Sequence, residues 1–215
     1  MNLRDCRAGT ERGEAIARAA RLVAEGTLVV LPTDTVYGIA AGAHLPAAVR
    51  SLLAAKGRSD AKPPPVLVAD VEQATGLIEG LSPAASALVA TWWPGPLTLV
   101  ARAATGTAWD FDIEGTVAIR VPDHDVARAL LRESGPLAVS SANLAGEAPA
   151  LTAREAAAAF GDAVALYLDA GRVSGGLPST VVDITGRTPR ILRVGAIGAD
   201  RIAAAVDQAY QASRP

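Results

Sequence analysis

Of the 20 basic residues in this chain only Lys56 and Lys62 are lysines; all the others are arginines. A chain that takes arginine wherever a cation suffices has placed there, six positions apart, the compact ammonium suited to sit between phosphate oxygens. Chance clustering is the plain alternative. Asparagine is as rare, at Asn2 and Asn143, and Asn143 closes the polar run Ser140-Ser141-Ala142-Asn143, whose ordinary role is a turn or a helix cap. Thr33-Asp34-Thr35 sets two hydroxyls and a carboxylate directly after Pro32, and Ser174 to Thr180 forms a further polar cluster. Lysine, arginine, hydroxyl and amide donors without a histidine are what an anionic, phosphate-bearing ligand requires. Each cluster taken alone reads as an ordinary turn.

Several other chemistries are poorly supported. His44 and His124 lie far apart with no ligand partners at metal spacing, which argues against a zinc site or a histidine-based triad. Neither a GxGxxG nor a GxxxxGK[ST] pattern occurs, so a nucleotide would be cradled in another way. With 20 basic and 22 acidic residues the net charge is −2, which lacks the cationic excess of nonspecific nucleic-acid binders. Hydrophobic residues make up 50% of 215, enough for a sizeable core. No stretch reaches the roughly 20 apolar residues that span a bilayer. No secretory leader is recognisable and Cys6 is the single cysteine, so a cytoplasmic location is expected.

These clusters need elements to hold them. Thr10 to Glu25 has a helical apolar face and stops at Gly26, and 27–31 reads as a buried strand. Further helices are expected over 47–55, 82–91, 125–133 and 198–212, with another opened by the capping box Thr152-Ala153-Arg154-Glu155. Strands are expected at 66–69, 97–101, 116–121, 136–139, 164–168, 180–184 and 190–194. The stretch 102–115, with Trp109, Asp110 and Phe111, is expected to be a mobile loop or lid. Some successive strands lack a helix between them, as at 180–184 and 190–194. The expected fold is therefore α/β, a twisted mixed parallel/antiparallel open sheet flanked by helices, in one domain over 1–215. Most polar clusters would then lie at strand ends, where open α/β sheets bind ligands.

On that outline the sequence resembles a known family. Leu31-Pro32-Thr33-Asp34-Thr35-Val36-Tyr37-Gly38, Lys56-Gly57-Arg58, Trp93-Pro94-Gly95-Pro96-Leu97-Thr98, Val117 to Pro122, Ser141-Ala142-Asn143, Ser179 to Asp183 and Leu192-Arg193-Val194-Gly195 look like the YrdC-type threonylcarbamoyl-AMP synthases, in family order over roughly 12–198. The length suits the family's single-domain branch. The resemblance implies condensation of L-threonine, bicarbonate or CO2, and ATP into threonylcarbamoyl-AMP and pyrophosphate. That product feeds threonylcarbamoylation of tRNA adenosine by downstream transferase proteins, and a direct tRNA contact is possible. By resemblance Thr35, Arg120 and Ser179 hold threonine, and Arg58, Thr116, Ser141 and Arg193 contact ATP. Lys56 and Asn143 complete the Lys-x-Arg and Ser-x-Asn pairs at the reacting phosphates, so Lys56, Arg58, Ser141 and Asn143 form the implied catalytic set. Mg2+ is expected with ATP, although the chain offers no self-evident carboxylate cage. The sequence departs from the family pattern at Pro64 and Pro65, at Leu67 and at Val194.

Two other classes remain open. A YrdC-like RNA-binding paralogue with weak or no synthase activity predicts strongly salt-dependent tRNA affinity without ATP turnover. A Ser-Lys hydrolase built on Ser141 and Lys56 predicts labelling of Ser141 by a serine-reactive probe.

Overall fold

The structure is a computed structural model that describes residues 2–7, 9–57, 63–106 and 115–212. Among the described residues the ten strands are β1 (Leu3–Asp5), β2 (Val29–Leu31), β3 (Gly38–Gly42), β4 (Val66–Leu67), β5 (Leu97–Arg102), β6 (Thr116–Arg120), β7 (Leu137–Ser141), β8 (Leu166–Asp169), β9 (Thr180–Asp183) and β10 (Arg190–Arg193). They form one sheet in the order β1-β8-β2-β3-β7-β4-β6-β5-β9-β10. The pairs β1–β8, β2–β8, β4–β6 and β5–β9 are parallel. The other five adjacent pairs are antiparallel. The expected mixed open sheet is the observed fold. Among the described residues, no helix is long and apolar enough to cross a membrane.

Alternation along the strands divides the interior into two layers. Val29, Leu31, Ala40, Leu137 and Val139 face helices α1 (Thr10–Ala24) and α5 (Asp125–Ser134). Val30, Ile39, Ala41 and Ala138 face α2 (Pro46–Ala55), α4 (Pro83–Trp92), α6 (Ala153–Phe160) and α7 (Ala199–Ala212). In α1 the buried residues Ala15, Ile16, Ala19 and Val23 form one helical stripe. The expected box at Thr152 forms: its hydroxyl accepts from the Glu155 backbone N–H, and the Glu155 carboxylate accepts from Thr152 N–H.

Three short elements lie outside the sequence expectations: β1, β3 and the helix α3 (Val71–Thr75). β3 sits between β2 and β7 with all five residues buried, so its sequence, Gly-Ile-Ala-Ala-Gly, shows no polar alternation. Gly38 is needed there, because a Cβ at that position would lie 2.5 Å from Val139 Cγ1 on β7.

β4 has only two residues yet joins β7 to β6 at the middle of the sheet. Leu67 pairs with Leu137 on one side and with Arg120 on the other. Arg120 is therefore level with Leu137, and Ser141 lies four residues further along β7. At ~3.3 Å per residue the two are about 13 Å apart along the strand direction.

Candidate active site

A cavity of ≈ 340 Å³ lies over this part of the sheet, lined by Thr33, Thr35, Tyr37, Lys56, Pro63 to Pro65, Leu67, Thr98, Arg120, Ser140, Ser141, Ser179 and Arg193 among others. Among the described residues its walls carry three cations, Lys56, Arg120 and Arg193, and no carboxylate.

Arg120 ends β6 and is 5% exposed. Its Nε donates to Gly95 O at 2.9 Å, Nη1 to Thr35 Oγ1 at 3.0 Å and Nη2 to Asp34 Oδ1 at 2.5 Å. A guanidinium has five N–H donors, so one on Nη1 and one on Nη2 remain for a carboxylate. Burial pulls its pKa below the ordinary arginine value, and the Asp34 charge opposes that shift.

The β2–β3 loop that supplies Thr35 is fixed from several sides. Thr33 Oγ1 donates to Val36 O at 2.6 Å and lies 2.9 Å from Thr35 Oγ1. Gly176 N donates to Thr35 O at 2.9 Å. Gly175 permits this approach, since a Cβ there would fall 2.5 Å from both Asp34 O and Thr35 O.

Ser179 precedes β9, and its hydroxyl is 2.8 Å from Thr98 Oγ1. Arg193, at the end of β10, donates through Nε and Nη2 to Ser179 O at 3.2 and 2.9 Å, and through Nη2 to Ser179 Oγ at 3.2 Å. Partial burial lowers its pKa from the ordinary arginine value.

Lys56 follows α2 at its C-cap and is 1% exposed. Its Nζ donates to Ser141 O at 2.5 Å and to Asn143 O at 2.8 Å. The ammonium grips the backbone of the Ser-x-Asn segment and stands in the cavity wall at once. It points at the Ser141 carbonyl, which is not the Ser–Lys pairing a hydrolase would need. Asn143 does not line the cavity; its Nδ2 donates to Leu144 O and Glu147 O at 2.8 and 2.9 Å, and its Oδ1 is buried with no partner among the described residues. Thr116 does not line the cavity either, but the register through β4 puts it level with Ser141.

Of the nine residues singled out in the sequence, Thr35, Lys56, Arg120, Ser141, Ser179 and Arg193 share this cavity. Arg58 lies outside the described residues, as do Lys62 and residues 107–114 of the expected lid. Pro64, Pro65 and Leu67 are in the wall, whereas Val194 is 56% exposed. Asp34 and Thr98 had no assigned role; each lay inside a quoted block, Asp34 directly before Thr35, whereas Thr98 meets Ser179 only in the folded chain. His44 is exposed, and His124 caps α5 by accepting from Val126 N at 3.2 Å. Among the described residues no group of three or more His, Cys, Asp or Glu could hold a metal ion.

The model of the Sua5/YciO/YrdC family, described as telomere recombination, matches residues 21–195. The chain belongs to this family. A Mycobacterium tuberculosis member, provisionally named a threonylcarbamoyl-AMP synthase, is 46% identical over 200 residues, which is 93% of this chain and 92% of that protein. A Bacillus subtilis threonylcarbamoyl-AMP synthase is 38% identical over 194 residues, 89% of this chain and 56% of its own length. The crystal structure of Pyrococcus abyssi Sua5 complexed with L-threonine superposes with a TM-score of 0.85 at 33% identity, covering 95% of this chain and 61% of that one. The chain thus spans little more than half the length of these two longer family members.

Proposed function

We propose that this family member is a threonylcarbamoyl-AMP synthase, an enzyme that makes an adenylate intermediate and belongs with the nucleotidyltransferases. The observation that carries this reading is the meeting of Thr35, Lys56, Arg120, Ser141, Ser179 and Arg193, scattered in sequence, in one cavity with cationic walls. The amine of L-threonine takes up bicarbonate-derived CO2 to give a carbamate. A carbamate oxygen then attacks the α-phosphorus of ATP, and pyrophosphate leaves. The nucleophile is already anionic, so the protein has to position the reactants and neutralise charge, which a site without a histidine can do.

In this scheme the two remaining N–H groups of Arg120 take the threonine carboxylate, next to the Thr35 and Ser179 hydroxyls. The nucleotide lies toward Lys56, Ser141 and Arg193, with Arg58 and Thr116 as further contacts. Asn143 supports the same segment from behind. Mg2+ enters with the phosphates of ATP: the described residues do not form a cage for it, and no step is assigned to it. The product passes to the transferase proteins that modify tRNA, in the cytoplasm. No observation favours the RNA-binding reading without catalysis.

Pyrophosphate release from ATP, measured with and without L-threonine and bicarbonate, tests the proposal. Release is expected only when all three substrates are present. Equal release without threonine refutes it.

A further inference from the structure

The loop that presents Thr35 also presents Asp34, a carboxylate with no part in the scheme above. Its Oδ1 accepts from Arg120 Nη2 at 2.5 Å and from the Asp123 backbone N–H at 3.1 Å. Its Oδ2 is buried with no hydrogen-bond partner among the described residues. The side chains of Arg120 and Asp34 are only 7% and 13% exposed, so solvent screens the pair weakly. Arg193, on the same cavity, donates only to Ser179 and has no ion pair among the described residues. One guanidinium of the cavity is thus electrically cancelled before any ligand arrives, and the other is not.

We propose that Asp34 makes the Arg120 subsite selective for a zwitterion. A ligand bearing only negative charge meets a pair with no net charge, and gains on Arg120 about what it loses to Asp34. An α-amino acid places an ammonium one carbon from its carboxylate. Its carboxylate takes the two remaining Arg120 N–H groups while its ammonium sits in the field of Asp34, so both charges are answered. The phosphates of ATP are kept from this end of the cavity and drawn toward Arg193, whose charge no carboxylate among the described residues cancels. Asp34 is thus a specificity-determining residue for the amino-acid substrate. The inference concerns binding alone; the amine still sheds its proton before the carbamate forms.

This rests on the reading that Arg120 holds the substrate carboxylate, and the test separates the two. Calorimetric titration of the full chain uses L-threonine and 3-hydroxybutanoate, which is threonine without its amine. Wild type is expected to prefer threonine by at least ~100-fold, whereas a preference below about 10-fold overturns the proposal without any variant. Asp34→Asn is expected to shrink the preference at least ~10-fold, with threonine weakened and 3-hydroxybutanoate held or strengthened. Asp34→Glu should restore part of it. If Asp34 only props up the loop, Asp34→Asn weakens both ligands equally; an unchanged ratio therefore overturns the proposal. Unaltered threonine affinity in Arg120→Ala removes Arg120 from the carboxylate and overturns the reading beneath.

Discussion

Replacing Lys56 with methionine keeps the aliphatic stem and removes only the ammonium. Two consequences follow from one side chain. Ser141 O loses a donor at 2.5 Å but keeps the Asn143 N–H at 3.0 Å, whereas Asn143 O loses its donor at 2.8 Å, and a buried carbonyl left without a partner costs about 1–3 kcal/mol. For Asn143 O we take ~2 kcal/mol, which in a chain of this size lowers Tm by about 4–8 °C. The Ser-x-Asn segment also loses its anchor, and in the proposed scheme the reacting phosphates lose a preorganised donor, a change that typically slows turnover about 100- to 1000-fold. Lys56→Arg should recover only part of the rate, because a planar guanidinium is bulkier than the ammonium seated where Lys56 is 1% exposed. Scanning calorimetry together with threonine-dependent pyrophosphate release at saturating substrates measures both effects. A methionine variant with Tm within ~2 °C of wild type and near-normal turnover refutes the reasoning. A lowered Tm with normal turnover leaves Lys56 a purely structural cation and removes it from the reaction.

Gly175→Ala pushes a methyl group against the Asp34 and Thr35 carbonyls, and such overpacking costs about 1–3 kcal/mol. Titration calorimetry should show threonine affinity reduced at least ~10-fold with ATP affinity nearly kept, and equal losses for both ligands contradict the assignment of this loop. Burial raises the Cys6 thiol to about 11 and the Tyr37 and Tyr167 phenols to about 12. These groups hold their protons to higher pH in the folded chain than in the unfolded one, so stability is intact below about pH 9 and falls as pH rises toward 12. Urea midpoints at pH 8 and pH 11 should show the loss, Tyr37→Phe should flatten it, and equal midpoints in wild type count against it.

Legibility in the sequence followed physical cause. Arg120 was marked by the family resemblance, and Lys56 by its rarity; in both the neighbours, not the residue, were hidden. That Lys56 binds carbonyls at Ser141 and Asn143, or that Asp34 meets Arg120, is a contact across the sheet that local pattern does not encode. β3 escaped because a strand buried on both faces, with glycine at each end, has neither alternation nor length to mark it. Apart from the five-residue α3, the helices were found to within a residue or two at their ends, since each carries an apolar stripe and most have a cap or a proline start.

The two-residue β4 has a consequence for the bound state. It is a narrow seam between the half of the sheet that ends in β7 and the half that begins with β6. Besides its own ladder, the Val139 N to Pro65 O bond and the Val68 N to Arg120 O bond flank it, and the Asp34–Arg120 pair spans it. In the proposed scheme threonine on Arg120 and a nucleotide at Ser141 stand on opposite banks of that seam. On that scheme, joining them as one acyl-adenylate puts a covalent strut across it, so forming the product would also tie the two halves of the sheet together, and letting it go would untie them.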